Sequence, residues 1–124
     1  MTNNKSFLES FKIAFLGIIS ALKKEKNFRI IFLIGVIVIL FTIIFKLNSL
    51  EKSIVFLTIF IVLSLELINS QIEKFLDLLQ PEKHPKVKVI KDFSAAAVLL
   101  FSFGSLIIGV LIFLPYLIEK ILKM

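Results

Sequence analysis

Residues 30–50 read IIFLIGVIVILFTIIFKLNSL, and this stretch decides the fold because Lys46 is its only charged residue. At about 1.5 Å of rise per residue, a helix of this length crosses the roughly 30 Å hydrocarbon core of a bilayer. The long stem of Lys46 lets its ammonium reach the membrane surface. The stretch predicts a first membrane span, which we assign to residues 29–50.

Two further apolar runs follow along the chain. Residues 53–72 contain one charge, Glu66, and residues 93–118 contain none. They predict a second span at 52–79, with an extension beyond the membrane, and a third at 92–118, with Pro115 in its last turn. A cytoplasmic loop, 80–91, joins the two. We therefore expect a single all-α integral membrane domain.

The composition agrees with a membrane protein. Of 124 residues, 58% are hydrophobic and 19% charged, and the mean hydropathy is +1.00, whereas soluble chains are roughly 45–50% apolar and about 25% charged. The absence of cysteine excludes disulfides, thiol catalysis and iron–sulfur clusters. The net charge of +6 lies between the apolar runs, which indicates membrane topology rather than nucleic-acid binding.

Residues 5–24 have the periodicity of an amphipathic helix. Lys5, Glu9, Lys12, Ser20 and Lys23 share one side of the helix. The apolar side carries Phe7, Leu8, Phe11, Ala14, Phe15, Ile18 and Leu22. Such a helix is expected to lie in the headgroup plane, on the membrane surface. A fourth buried helix is the alternative.

Basic residues predict the orientation of the spans. Residues 1–29 hold six and residues 74–91 hold five, against two in 46–52 and two in 119–124. Because Lys and Arg accumulate on the cytoplasmic side, we expect the N-terminus and the loop before the third span to be cytoplasmic. Three crossings then place the C-terminus outside.

A polar stripe runs along the second predicted span. On a helical wheel with Glu66 at the origin, its members fall within about 100° of arc. They are Glu66, Asn69, Ser70, Glu73 and Asp77. An acid inside a span costs about 2.5–3.5 kcal/mol, so three acids on one stripe favour a functional site over the interhelical packing that Asn and Ser often provide.

The spacing of the stripe suits phosphate chemistry. Glu66 and Glu73 lie seven residues apart with an amide between them, which suits a Mg²⁺-type cation together with a proton-accepting base. Glu25 is predicted at the same membrane level and is either a further ligand or a solvated charge. No phosphate-binding loop of the G-x-x-x-x-G-K-[ST] type is present.

The basic run 81–92 leads into the third span. A helix N-terminus beside Lys91 suits an anion, although topology alone also explains these charges. The single histidine, His84, indicates a loop role rather than a metal site.

Several motifs resemble one known family. Residues 66–73, ELINSQIE, resemble the E-x-x-N-[ST]-A-x-E signature of the small bacterial membrane-integral diacylglycerol kinases and undecaprenol kinases. Residues 25–29, EKNFR, are similar to the E-x-N-F-R element of that family. Residues 84–98, HPKVKVIKDFSAAAV, are similar to its H-P-x-x-K-x-x-K-D-x-A-A-x-A-V element. The resemblance covers nearly the whole chain, and the last two elements look closer to the undecaprenol kinases.

The resemblance implies a lipid kinase of the bacterial plasma membrane. Such an enzyme transfers the γ-phosphate of Mg-ATP to the primary hydroxyl of a membrane lipid, as a homotrimer with sites between subunits. By resemblance, Glu66 is the base near the lipid hydroxyl, with Ser70 beside the lipid, and Asn69 orients the reacting groups.

The nucleotide and metal residues follow from the same resemblance. Glu25 and Glu73 hold the Mg²⁺ that bridges the ATP phosphates, and Lys91 neutralises phosphate charge. Asp77 and Asp92 contact the nucleotide or brace Lys91.

The chain departs from the family pattern at a few positions. Gln71 replaces a small Ala and is expected to face a neighbouring helix, Ala96 replaces a common Gly, and Val89 and Ile90 replace small residues. These changes leave a catalytically altered relative as one alternative. A non-enzymatic membrane protein, either an ion-conducting oligomer or a structural subunit, is the other. Undecaprenol and diacylglycerol both carry a primary hydroxyl, so both are acceptor hypotheses.

Overall fold

The computed structural model describes residues 6–124, which form four α-helices and no strand. The helices are α1 (Phe7–Lys24), α2 (Lys26–Ile44), α3 (Ser49–Leu79) and α4 (Pro85–Leu122). The last three are long and apolar enough to cross a membrane. The predicted all-α architecture, one short helix followed by three apolar ones, is therefore confirmed.

Helix α1 exposes the apolar face that the sequence predicts. Lys5, the predicted first residue, lies outside the described residues, and the Ser6 side chain caps the helix by accepting from the Glu9 amide at 3.2 Å. The rings of Phe11 and Phe15 stack on the exposed side. Ala21 is the one buried residue of α1, and whether this helix lies on the membrane surface or is a fourth buried helix stays a prediction.

The connection between α2 and α3 ends the first apolar helix earlier than predicted. Helix α2 stops at Ile44 rather than 50 because Lys46 adopts a left-handed conformation, with φ of 54°. The Leu47 amide donates to Thr42 O at 3.0 Å and the Lys46 amide to Ile43 O at 3.1 Å. This is a Schellman motif, and the buried Leu47 supplies its apolar contact.

Helix α4 contains the third predicted span but begins before it. Helix α4 begins at Pro85 rather than 92, so only residues 80–84 of the predicted 80–91 loop separate α3 from α4. Two local features explain the early start. His84 Nδ1 accepts from the Lys86 amide at 3.1 Å, and Pro85 occupies the first turn, where its missing N–H costs nothing.

Helix α3 is the centre of the packing. It contacts both α2 and α4, and its Val55 and Val62 are buried. Gly35 of α2 allows a close approach, since a Cβ there would lie 2.9 Å from Ile59 Cγ2. A largely apolar groove of about 600 Å³ lies between α2, α3 and α4. No residue of α4 is buried, which leaves its surface for lipid or another chain.

At the end of the bundle that holds the α2 to α3 turn, polar contacts fasten α4. The Tyr116 hydroxyl donates to Glu51, whose carboxylate also accepts from the Asn48 amide in the capping box of α3. The Lys120 ammonium lies 5.4 Å from the ring centroid of Phe45. These contacts join the last turns of α4 to the turn before α3.

The left-handed Lys46 gives a first prediction. Substituting Lys46→Gly relieves the steric cost of φ above zero, and we expect a stabilisation of about 0.5–1 kcal/mol, measured as thermal unfolding in detergent. Lys46→Ala is the control, because it removes the same side chain but keeps a Cβ. Equal midpoints for the two variants would contradict the prediction.

The close approach at Gly35 gives a second prediction. Because Ile59 Cγ2 belongs to a stiff β-branched side chain, Gly35→Ala should destabilise the protein by about 1–3 kcal/mol, although Ala is the better helix former. Gly109→Ala is the matched control, since a Cβ there meets nothing within 4 Å. The measurement is the unfolding midpoint, and a Gly35→Ala midpoint at or above that of the wild type would refute this packing argument.

Candidate active site

The buried polar residues of the described chain concentrate on one stretch of α3. Four polar or charged residues are buried in residues 6–124, and three of them are Glu66, Asn69 and Ser70. Their exposed fractions are 7%, 8% and 9%. The fourth, Thr42, donates to the carbonyl of Ile39 in its own helix. A carboxyl and an amide at this depth need polar neighbours.

The polar neighbours of Glu66 lie at the start of α2 and further along α3. The Asn27 side chain lies beside its carboxylate, and the carboxylates of Glu25 and Glu73 are close enough to act on it electrostatically. The adjacent Phe28 is only 4% exposed and anchors this first turn of α2. Three acids from two segments of the chain therefore meet around one buried position.

Asn69 has an acceptor to spare. Its Nδ2 donates to Glu73 Oε1 at 3.4 Å, while its buried Oδ1 has no hydrogen-bond partner. A buried polar atom without a partner is costly. The free oxygen can therefore accept a hydrogen bond from a hydroxyl or coordinate a cation.

Ser70 and Gln71 form the edge of the site towards α1. The Ser70 hydroxyl donates to Leu67 O at 2.9 Å and accepts from Gln71 Nε2 at 3.4 Å. Gln71 is exposed and lines an opening between α1 and α3, opposite Gly17. The amide that departs from the family pattern thus faces α1, the neighbouring helix.

Glu25 lies at the joint between α1 and α2, where it ends one helix and begins the next. Its carboxylate pairs with the Lys74 ammonium of α3. Arg29 holds the joint from the other side, because its Nη1 donates to Leu22 O at 2.9 Å and Lys23 O at 3.2 Å. These bonds satisfy carbonyls at the end of α1 and place a positive charge there.

A second group of charges lies one turn further along α3. Asp77 pairs with Lys91 of α4. Asp92 pairs with Lys88 at 2.6 Å, so of the two acids it is Asp77 that braces Lys91. Both pairs are largely exposed, and their contribution to stability is small. His84 is a helix cap rather than a member of the site.

The structure thus brings the predicted residues together in two groups. Glu25, Glu66, Asn69 and Glu73 form the first. The second group lies at the start of α4 and consists of Asp77, Lys91 and Asp92. Ser70 borders the first group. The sequence argument missed four neighbours of these groups, which are Asn27, Arg29, Lys74 and Lys88. Asn27 and Arg29 lie inside the E-x-N-F-R element, which was their available signal.

The oxygen donors of the first group suit a hard cation. Within residues 6–124, no group of three or more Asp, Glu or His side chains is arranged to hold a metal ion by itself. Mg²⁺ does not require such a cage, since it usually keeps several waters and binds through one or two carboxylates plus substrate phosphates. Glu25, Glu73 and the free Asn69 oxygen therefore fit such an ion when the phosphates come with the substrate.

Known proteins are similar to this chain over most of its length. The family described as prokaryotic diacylglycerol kinase matches residues 12–113. An undecaprenol kinase of Bacillus subtilis is 40% identical over 111 residues, covering 90% of each chain. A diacylglycerol kinase of Synechocystis is 34% identical over 92% of this chain and 66% of its own length, and one of Helicobacter pylori is 34% identical over 96% of this chain and 92% of its own.

The family match and the named relatives show that this chain is an enzyme of the lipid kinase class, and three of its helices are long and apolar enough to cross a membrane. Within that class, the chain belongs to the prokaryotic diacylglycerol kinase family.

The Arg29 contacts yield a third prediction. Arg29→Leu leaves two carbonyls of α1 without their donor, and we expect a loss of about 1 kcal/mol of stability together with faster proteolysis at the joint. The measurement is limited digestion in detergent with endoproteinase Glu-C, whose site at Glu25 is the same in every variant, followed by mass spectrometry of the fragments. Arg29→Lys keeps the charge and should be intermediate. Cleavage of Arg29→Leu no faster than that of the wild type would exclude a bracing role.

Proposed function

We propose that the protein transfers the γ-phosphate of Mg-ATP to the primary hydroxyl of a membrane lipid, at the cytoplasmic boundary of a bacterial plasma membrane. The observation that carries the proposal is the burial of Glu66 and Asn69 in α3 beside two further carboxylates. The lipid arrives from the bilayer and the nucleotide from the cytosol. A site that extends along α3 from a buried acid to exposed charges serves both.

The acceptor end of the site is assigned to Glu66. Its carboxylate accepts the proton of the lipid hydroxyl as the new phosphate ester forms. Because a primary hydroxyl has a single proton and gives it to Glu66, Asn69 orients the reacting groups through its unpartnered Oδ1 on the cation side of the site. Ser70 donates its own proton to Leu67 O, so it borders the lipid without donating a hydrogen bond to it.

The donor end is assigned to the remaining charges. Glu25 and Glu73 would hold Mg²⁺, which would supply charge neutralisation on the phosphates when bound. Lys91 approaches the phosphates as a positive charge, and its pairing with Asp77 keeps it beside α3. Asp92 and Lys88 lie on the first turns of α4 and border the nucleotide. Positioning and electrostatics supply most of the catalysis in phosphoryl transfer.

Undecaprenol is the first acceptor to consider. The relative named undecaprenol kinase shares 40% identity over 90% of both chains, against 34% for the relatives named diacylglycerol kinase described above. Diacylglycerol offers the same primary hydroxyl and is the second acceptor.

Topology and assembly complete the proposal. The excess of basic residues in 1–29 and 74–91 supports a cytoplasmic N-terminus, a cytoplasmic 80–84 connection and a C-terminus outside. The homotrimer rests on the family resemblance. No residue of α4 is buried in the single chain, which leaves a surface for it.

The test is a phosphate-transfer assay with γ-labelled ATP and Mg²⁺ in detergent–lipid micelles that contain undecaprenol or diacylglycerol. We expect labelled lipid from the wild type and a loss of at least about 100-fold in kcat for Glu66→Gln, since a general base contributes roughly 10²–10⁴. Glu119→Gln is the matched control, because it removes an exposed acid near the opposite end of the bundle. No product with either lipid from folded wild-type protein would overturn the kinase proposal and favour an altered relative.

A further inference from the structure

An opening of about 650 Å³ separates α1 from α3 beside the proposed cation site. Its polar end is formed by Glu25, Lys24 and Lys74, and its apolar end by Ala14, Ile18 and Leu67. Lys74 belongs to neither of the charge groups that the mechanism uses. Its position at the mouth of this opening calls for a separate explanation.

The contact between Lys74 and Glu25 joins an exposed group to a sheltered one. The Lys74 side chain is 56% exposed, whereas that of Glu25 is 18% exposed. The ammonium therefore reaches inward from solvent on its flexible four-carbon stem. The two residues lie 49 positions apart in sequence, so the contact depends on the packing of the α1 to α2 joint against α3.

Electrostatics explains why the ammonium is there. Glu25 and Glu73 both act electrostatically on Glu66, and without a cation these negative charges repel. Lys74 supplies a positive charge directly to one of the three. Its ammonium occupies a carboxylate oxygen that the proposed function gives to Mg²⁺.

An ammonium on one oxygen of the Glu25 carboxylate and a divalent cation on the same carboxylate are like charges at close range, and they repel each other. When a protein's binding-competent state is only partly populated, the apparent affinity falls by that fraction. Binding of the cation is therefore expected to displace the ammonium. The released ammonium remains within one side-chain length of the site, where it can attract phosphate as a point charge.

We propose that Lys74 is a positioning residue of the kinase site, which holds Glu25 in the cation-free protein and is displaced when a divalent cation binds. Resting on the function proposed above, this makes Lys74 an intramolecular competitor of Mg²⁺. It sets the concentration of divalent cation that the protein needs, and it keeps the acidic site electrically balanced until that cation arrives.

The experiment measures cation binding directly, without lipid and with a fixed concentration of a non-hydrolysable ATP analogue that supplies the phosphates. Mn²⁺ is titrated into purified protein in detergent, and the Mn²⁺ bound above a protein-free blank is measured by electron paramagnetic resonance. Lys74→Met should tighten Mn²⁺ binding by about three- to tenfold, because the competing ammonium is gone. Lys83→Met is the matched control, since it removes one exposed charge from the same end of the protein, and it should shift the affinity by less than about twofold.

A second measurement covers the case in which Lys74→Met folds poorly. Thermal unfolding of Lys74→Met and of Lys74→Gln should begin below that of the wild type without cation, and Mn²⁺ should raise their midpoints more than it raises that of the wild type. In the kinase assay, the Mg²⁺ concentration for half-maximal rate should fall in both variants, while the KM for lipid stays unchanged. A purely structural role of Lys74 would not produce this pattern.

The outcomes separate this inference from the proposed function. If Glu25→Gln abolishes Mn²⁺ binding but Lys74→Met and Lys74→Gln bind as the wild type does, the competitor role is wrong and the cation site stands. If Glu25→Gln binds Mn²⁺ unchanged, the assignment of Glu25 fails and the competitor role fails with it. Absence of lipid phosphorylation beside intact, Lys74-sensitive Mn²⁺ binding would reject the kinase proposal alone.

Discussion

A carboxyl group buried in a membrane helix is the constraint on which the rest of this structure depends. Glu66 is only 7% exposed within α3, and such a group costs several kcal/mol unless polar partners surround it. The Asn27 side chain at the start of α2 is one such partner, whereas Glu73, two turns further along α3, adds a like charge. The N-terminal end of α2 must therefore lie against α3 at this depth, and the joint at Glu25 follows from that position.

Apolar packing and ion pairs lie in different parts of the molecule. Apolar packing along α3 holds the helices side by side, as at Val62 and at the close contact of Gly35 with Ile59. Within residues 6–124, the ion pairs between different helices lie at the end of the bundle that carries the site. One joins α3 to the joint between α1 and α2, and the other joins α3 to the start of α4. Exposed pairs contribute little stability. The ion pairs at the site can therefore exchange partners, whereas the apolar packing that holds the helices together cannot.

The sequence predicted the helices and the stripe because both depend on local periodicity and on the cost of charge in hydrocarbon. Hydropathy misplaced the start of α4, since the charged turn from Pro85 to Lys91 is helical although it is not apolar. The contact of Lys74 with Glu25 could not be predicted from the sequence, because tertiary packing brings the ammonium to that carboxylate. The turn at Lys46 was missed for a related reason, since lysine carries no signal for a left-handed residue. The chemical roles of the site residues and the trimer remain predictions.

Because Tyr116 contacts Glu51, a tilt of α4 about this end moves its other end through a larger distance. This end of α4 is fastened by that hydroxyl and by Lys120 above Phe45, whereas Lys91 lies about 37 Å away along the helix, at 1.5 Å per residue. At that radius, a tilt of about 5° about the fastened end carries Lys91 through about 3 Å, roughly the length of one hydrogen bond. A rotation of a few degrees about the fastened end is therefore enough to make or break the proposed contact of Lys91 with phosphate.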